Sequence, residues 1–442
     1  MESFGNLLDT LSGEIFFLGI GGSGMYGTAA LAKEMGFAVR GTDSAENANT
    51  RRLRALGVPL QSEREGLPPS TALLVYTFAA PPDHPLLMQA RARAVPTLSR
   101  AEFFGMLMRP FPIRAAVAGS HGKSSVTAMC ATVLRMAGYA PTVVSGADLG
   151  DGRGSFRMGE DRVLLFEACE YRDAFLSFCP THALALSVSH EHTDYFPDEA
   201  SVRRSFRRYL SGQSVRKRIA PVGLFDADVT YGEGGSLFAR ACVCREGGSH
   251  FCLCTADGAS YPVTLHTGGA FQIENALGAA ALCAALGVPV KKIAEGLCTY
   301  RGIARRMEYK GSLRGAPLYL DFAHHPKELA ALLRSADAFG RPVALVFEGH
   351  TYSRTRHFFS DYVHLLRKPH ISGVLPIYAA REPGTDAVSG KALAEAARAA
   401  YLPTYEDAAR FLVRAAGKGC TLLLVGAGGV EGVLPYLSPM LG

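Results

Sequence analysis

Residues 116–129 read AVAGSHGKSSVTAM: the end of an apolar run, a glycine, two polar residues, then Gly122, Lys123, Ser124 and Ser125 at the head of a helix-forming stretch. A lysine between a glycine and a hydroxyl residue, where a strand gives way to a helix, is the chemistry of a phosphate loop. Backbone amides at the helix start face the anion, the ammonium balances its charge, and the hydroxyl meets its magnesium ion. The longer form of such loops has a further glycine where Val117 stands, and here Gly119 comes two positions late. A decayed loop and a shorter loop are both open at this point. Either way the stretch is strand, loop and helix, the repeating unit of an α/β sheet.

The same unit opens the chain. EIFFLGI is a predicted strand, GGSGMYG a turn and TAALAKEMG a helix closed by Gly36. Within it, GIGGSG fits G-x-G-x-x-G through Gly19, Gly21 and Gly24, with Gly22 and Ser23 between them, and Asp43 ends the next predicted strand. That spacing suits a diphosphate at a helix N-terminus and a ribose held by the acid. A nicotinamide dehydrogenase and any other diphosphate binder satisfy it equally, and a tight turn alone also uses glycines. A dehydrogenase, however, has no use for Lys123. Two anion loops on separate domains point to an enzyme that joins substrates at the expense of a nucleoside triphosphate.

Strands and helices go on alternating to the end of the chain, with punctuation at PFPIR and around YRGIARRMEYKGSLRGAP. The expected fold class is α/β in three domains. Residues 1–110 form a Rossmann-like unit, 111–311 a P-loop-type ATPase with a mostly parallel sheet, and 312–442 a second Rossmann-like unit. The stretch from about 197 to 267 reads as less regular.

Composition narrows the class. The chain has 442 residues, 48% of them hydrophobic and 19% charged, with a formal charge of +6. It carries neither an apolar run of membrane-spanning length nor an export signal at its start, so a cytoplasmic protein without membrane insertion is expected. Its basic clusters, such as RRSFRRYLSGQSVRKR, read as solvated faces, so no nucleic-acid partner is expected. Ten cysteines in such a chain read as thiols. CVCREGGSHFCLC places Cys242, Cys244, Cys252 and Cys254 on a predicted hairpin. Small apolar packing residues and a four-sulfur metal site are the two readings there.

GSHGKSS resembles the G-T-x-G-K-T/S loop of the Mur ligases, ATP-dependent enzymes of peptidoglycan synthesis, whose loop has its glycine at the position of Gly119. The stretches FFLGIGGSGMYGTAALAKEMGFAVRGTD, NANTRRLRALGV, VPTLSRAEFFGMLMR, DFAHHPKE and HTYSRTRHFF are similar to the alanine-adding branch. The resemblance implies UDP-N-acetylmuramate and L-alanine as substrates, ATP and Mg2+ as cofactors, and an acyl phosphate on the lactyl carboxylate. It places UDP-sugar binding on Gly19, Gly21, Gly22, Ser23, Gly24 and Asp43. ATP falls to Gly119, Ser120, His121, Gly122, Lys123, Ser124, Ser125, Asn275 and Arg306, and metal to Ser124, Glu170 and His192, followed by Asp194. Lys123, His192, His324 and Arg354 are the expected catalytic residues, and His325, His350, Tyr352 and Arg354 the expected amino-acid side of the site. A His-His pair before proline also reads as a helix cap.

Several positions depart from the family pattern. Phe271 and Gln272 replace a His-Asn pair, Cys169, Tyr171 and Arg172 stand in a usually acidic stretch, and Phe322 replaces a frequent tyrosine. A ligase for another amino acid or a peptide, and a catalytically weakened UDP-sugar-binding relative, are the alternatives.

Overall fold

The computed structural model describes residues 8, 10–150, 152–192, 195–380, 382 and 387–442. The first sheet contains β1 (Glu14–Leu18), β2 (Val39–Thr42), β3 (Thr71–Tyr76) and β4 (Thr97–Ser99), in the order β2-β1-β3-β4. All its pairings are parallel. Helix α1 (Ser23–Glu34) follows β1, and α2 (Arg100–Leu107) follows β4.

The quoted loop leaves the centre of a second sheet. Here β5 (Ile113–Ala118) leads into α3 (Lys123–Met136), followed by β6 (Thr142–Val144), β7 (Phe156–Arg157), β8 (Val163–Ala168), β9 (His182–Ala185), β10 (Lys217–Pro221) and β11 (Val229–Tyr231). Their order is β11-β10-β9-β5-β8-β6-β7, with β6 and β7 antiparallel and the neighbours of β5 parallel to it. Parallel strands covered on both faces need apolar residues at every position, and Ala115 to Ala118 and Val163 to Phe166 are buried accordingly. The loop sits at the carboxyl end of β5, between β8 and β9, where open α/β sheets bind ligands.

These two sheets belong to one compact unit, formed by residues 1–238, 253–261 and 275–297. Its core is continuous through aromatic contacts. Phe104 on α2 meets Phe166 on β8 edge-on at 5.4 Å and Phe178 at 5.4 Å. Gly105 lets the backbone in: a Cβ there would stand 2.1 Å from the Ser177 carbonyl oxygen.

The second compact unit comprises residues 239–252, 262–274 and 298–442. The stretch that reads as irregular holds β10, β11, β12 (Leu237–Arg245), β13 (Gly248–Thr255) and β14 (Ser260–Leu265). Much of β12 is exposed, so nothing enforces an apolar alternation in its sequence. Each of the ten cysteines is a thiol, and among the described residues the hairpin sulfurs form no metal-binding group. After α4 (Ala270–Ala285) come β15 (Glu308–Leu313), β16 (Ala316–Asp321), α5 (Pro326–Asp337), β17 (Val343–Glu348), α6 (Tyr352–His357), β18 (Ile371–Val374), β19 (Ala400–Tyr401) and β20 (Thr421–Gly426). This sheet has the order β15-β16-β20-β17-β18-β19, with β15 antiparallel to β16 and the remaining pairs parallel. No described helix is long and apolar enough to cross a membrane.

Candidate active site

At the first glycine loop, the acid expected to meet a ribose is turned toward the loop itself. Asp43 accepts from the Gly21 amide at 2.7 Å and from Ala45 at 3.3 Å. Asn49 donates to the Gly21 carbonyl at 3.0 Å. Gly22 caps α1 without any side-chain hydrogen bond, so the loop is tied down from behind while the helix start keeps its own donors. Arg100, the first residue of α2, lies against this helix start: a Cβ on Gly24 would be 3.2 Å from Arg100 Nε. Burial pulls the Arg100 guanidinium below its ordinary pKa, against a pull from Cys169. Among the described residues no carboxylate pairs with it.

The lysine loop is stitched to the chain that follows β9. The Ser120 amide donates to the Ser187 carbonyl at 2.9 Å, the His121 amide to Ser187 Oγ at 3.1 Å, and the Ser189 amide to Ser120 Oγ at 2.9 Å. Gly122 closes the turn at φ +85°, and a Cβ there would stand 2.5 Å from Asn275 Oδ1. Glycine is thus required both by the backbone and by the asparagine beside it. Ser125 is buried at the start of α3.

Lys123 turns back into the loop. Its ammonium donates to the Gly119 carbonyl and, at 3.1 Å, to Glu170 Oε2. Burial pushes the lysine pKa down, but Glu170, with help from Cys169 and Glu167, outweighs it and the net shift is upward. The ammonium is therefore charged at any physiological pH. Ser124 Oγ donates to Glu167 Oε2 at 3.1 Å, and the Gly146 amide donates to Glu167 Oε1 at 2.6 Å.

Glu170 is fully buried, and its second oxygen, Oε1, has no hydrogen-bond partner among the described residues. His192 Nε2 lies 3.8 Å from that oxygen. The His192 backbone is at φ +55°, and its ring leans on Tyr171 with centroids 4.7 Å apart. A buried carboxylate oxygen without a donor, facing an imidazole, is a place a divalent cation fits, and Ser124 Oγ is a further oxygen donor at the loop. Asp194 lies outside the described residues.

In the second unit, His324 and His325 do different things. His325 caps α5: its Nδ1 accepts from the Lys327 amide at 3.2 Å. His324 Nδ1 is 3.0 Å from the Phe322 carbonyl, and its ring centroid is 5.8 Å from that of His350. Burial pushes both His324 and His350 down to about 4, so both rings are neutral at pH 7. Arg354 Nη1 donates to His350 Nδ1 at 3.0 Å. Between them Thr351 sits at φ +64°, an unusual backbone for a β-branched residue, and caps α6, which starts at Tyr352.

The arginine pair divides as well. Arg305 donates to the carbonyls of Gly426 at 2.6 Å and Gly428 at 3.2 Å, at the end of β20. Arg306 reaches Glu328 at 3.8 Å, and both guanidinium groups lie over the Phe322 ring, at 4.7 and 5.3 Å. A phenylalanine at 322 thus serves as a cation–π floor for the pair. Phe271 packs against the cluster of Tyr319, Leu329 and Leu345.

Three family models cover most of the chain: "Mur ligase family, catalytic domain" matches residues 14–112, "Mur ligase middle domain" 117–283, and "Mur ligase, glutamate ligase domain" 305–428. The chain belongs to the Mur ligase family. A curated relative of this Mur ligase, a UDP-N-acetylmuramate–L-alanine ligase of Agathobacter rectalis, is 34% identical over 94% of this chain and 95% of its own. The fold is that of the Thermotoga maritima UDP-N-acetylmuramate–alanine ligase, with a TM-score of 0.82 at 23% identity over 97% of this chain and 99% of that one. A murein peptide ligase of Psychrobacter arcticus shares it at a TM-score of 0.69 and 21% identity, over 97% and 98% of the two chains.

Reading this Mur ligase from its sequence passes over Glu167, Arg100 and the serines 187 and 189. FEACEYRDAF did hold a signal for the first, since an acid inside an otherwise apolar strand needs partners. Arg100 follows the capping Ser99 at the head of a helix, a position at which arginine is ordinary, so its sequence carries no comparable mark.

Proposed function

We propose that this Mur ligase joins L-alanine to the lactyl carboxylate of UDP-N-acetylmuramate, cleaving ATP to ADP and phosphate, as a step in making peptidoglycan precursors. The observation that carries the reading is the near full-length likeness to UDP-N-acetylmuramate–L-alanine ligases with the lysine loop intact on the central strand. In this reading residues 1–110 take the UDP-sugar on Gly19, Gly21, Gly22, Ser23 and Gly24, with Asp43 steadying the loop from behind. Residues 111–311 take ATP on the loop Gly119–Ser125, with Asn275 beside Gly122. Residues 312–442 take the amino acid, and the enzyme works in the cytoplasm.

The chain's own groups supply positioning and charge. Lys123 holds its ammonium at the N-terminus of α3, where it offsets the charge on the oxygens of a γ-phosphoryl group and on the leaving ADP during transfer to the carboxylate. Ser124, Glu170 and His192 would hold Mg2+, which when bound screens the repulsion between the phosphate and carboxylate anions. Glu167 orients the Ser124 hydroxyl. His324, neutral at pH 7, offers a hydrogen-bonding imidazole rather than a cation, and Arg354, steadied by His350, pairs with the alanine carboxylate. Arg306 is the phosphate-pairing arginine of this reading.

Phosphate release from ATP, measured with UDP-N-acetylmuramate and each of a set of amino acids and short peptides, tests the reading. Release that depends on L-alanine is expected. Release only with another amino acid or a peptide would move the chain to a sister branch. UDP-sugar binding without release in any mixture would mark a weakened binding homologue.

A further inference from the structure

The stretch around Glu170 holds a donor that a magnesium site does not call for. Cys169 Sγ, a Glu170 carboxylate oxygen and a His192 ring nitrogen lie within 4.8 Å of one another. Two of the three are drawn together already: His192 Nε2 is 3.8 Å from Glu170 Oε1, the buried oxygen that has no hydrogen-bond partner among the described residues. Lys123 occupies the other oxygen, Oε2, and so leaves Oε1 to face the imidazole. His192 takes its place at a positive φ, a backbone state that persists only where its surroundings impose it.

Mg2+ prefers six oxygens in an octahedron and gains little from sulfur. A thiolate, an imidazole and a carboxylate are the donors of a thiophilic ion such as Zn2+, three protein ligands leaving a fourth position open. With metal–sulfur and metal–nitrogen bonds of about 2.3 and 2.0 Å, donor atoms on one tetrahedral ion stand roughly 3.5 Å apart. The present cluster, within 4.8 Å, is slightly wider than that.

We propose that Cys169, Glu170 and His192 form a soft-metal site that captures Zn2+ in preference to Mg2+. Binding replaces the thiol S–H bond by a sulfur–metal bond, and the proton leaves to solvent. Zinc then competes with magnesium at the same carboxylate and imidazole, so the thiol makes the ligase responsive to zinc. The inference rests on the reading that Glu170 and His192 hold a divalent ion, and adds the third ligand and the ion it selects.

The test uses the metal-free full-length protein and Co2+ as a spectroscopic probe, followed by displacement with Zn2+. Expected are visible d–d bands of a tetrahedral site together with a near-ultraviolet sulfur-to-cobalt charge-transfer band, both bleached by Zn2+. In Cys169→Ser the charge-transfer band disappears, cobalt binding through Glu170 and His192 persists, and zinc affinity falls at least about 10-fold. Glu170→Gln weakens binding while leaving the thiol in place. A charge-transfer band unchanged in Cys169→Ser assigns the sulfur to another cysteine and overturns the proposal. Cobalt bound without that band in the wild type, and lost in Glu170→Gln, overturns the proposal but leaves the divalent-ion site standing. No cobalt binding at all overturns both.

Discussion

Lys123 and Glu170 form an ion pair at 3.1 Å with side-chain exposures of 17% and 1%. Each answers a different demand: the lysine opens a helix whose N-terminus carries free amides, and the carboxylate keeps that lysine charged. Breaking one side of such a pair strands the other in a low-dielectric site. Lys123→Met is therefore expected to abolish phosphate release, to leave UDP-sugar binding by calorimetry intact, and to lower stability by about 3–5 kcal/mol. Lys123→Met combined with Glu170→Gln should regain most of that stability in urea unfolding without regaining turnover. A double variant as unstable as the single one would show that the pair is not what the stability depends on.

Glu167 acts one layer behind the loop, holding Ser124 and the Gly146 amide. Residues that orient a metal's hydroxyl ligand change metal affinity roughly 10- to 100-fold when altered. Glu167→Gln should raise the Mg2+ concentration for half-maximal activity by that factor, with UDP-sugar affinity unchanged. An unchanged magnesium dependence would make Glu167 a packing residue only.

Arg100 is a cation against the first glycine loop without a carboxylate among the described residues. A charged hydrogen bond to a diphosphate is worth about 1.5–3 kcal/mol, so Arg100→Ala should raise KM for the UDP-sugar roughly 10- to 100-fold at nearly constant kcat. Because burial disfavours the unpaired charge, the thermal midpoint should hold or rise. A lower midpoint with unchanged KM would contradict the assignment.

Arg354 is held by His350, which suits a planar fork better than a flexible ammonium. Arg354→Lys should raise KM for L-alanine about 10-fold or more while KM for ATP stays put. Equal changes in both would place the arginine on phosphate instead.

Two groups at the end of β16, Asp321 and His324 just beyond it, give stability opposite slopes with pH. Asp321, which accepts from the Met307 and Ala323 amides, is pushed by burial from 3.8 up to about 6, against the pull of Arg306. A raised carboxyl favours the folded state fully below its unfolded value, and that contribution is lost as pH rises through about 6. His324 is pushed by burial from 6.5 down to about 4, against Glu328. Its contribution is present above 6.5 and lost as pH falls through about 4. Each amounts to about 3 kcal/mol, so the wild-type profile between these limits should be nearly flat. In urea unfolding, Asp321→Asn should gain stability with rising pH and His324→Gln should lose it. Parallel profiles for the two variants would rule the assignment out.

Much of this protein follows from local pattern. Apolar runs mark β1, β5, β8, β16, β17 and β20, because a strand buried on both faces must be apolar throughout, and those of β1, β5, β17 and β20 end in glycine turns. The loop GSHGKSS is legible as a complete short loop for the same local reason: Val117 is a buried strand residue, Gly119 begins the turn, and Lys123 opens the helix. What local pattern does not contain is a partner far along the chain. That Asp43 faces Gly21, that Glu167 holds Ser124, that His324 faces His350, and that His192 joins Cys169 and Glu170, are decided only when segments distant in sequence come together, whereas the His325 cap is local. The C-x-C hairpin reappears as β12 and β13, whereas β10, β11 and β14 stayed hidden, being short and without a strong apolar pattern. Sequence by itself determined the α/β units and the anion loops. The tertiary structure decided which charged and sulfur-bearing side chains meet, because hydrogen bonds and ion pairs depend on separations of a few ångströms that span 20 to 120 residues of chain.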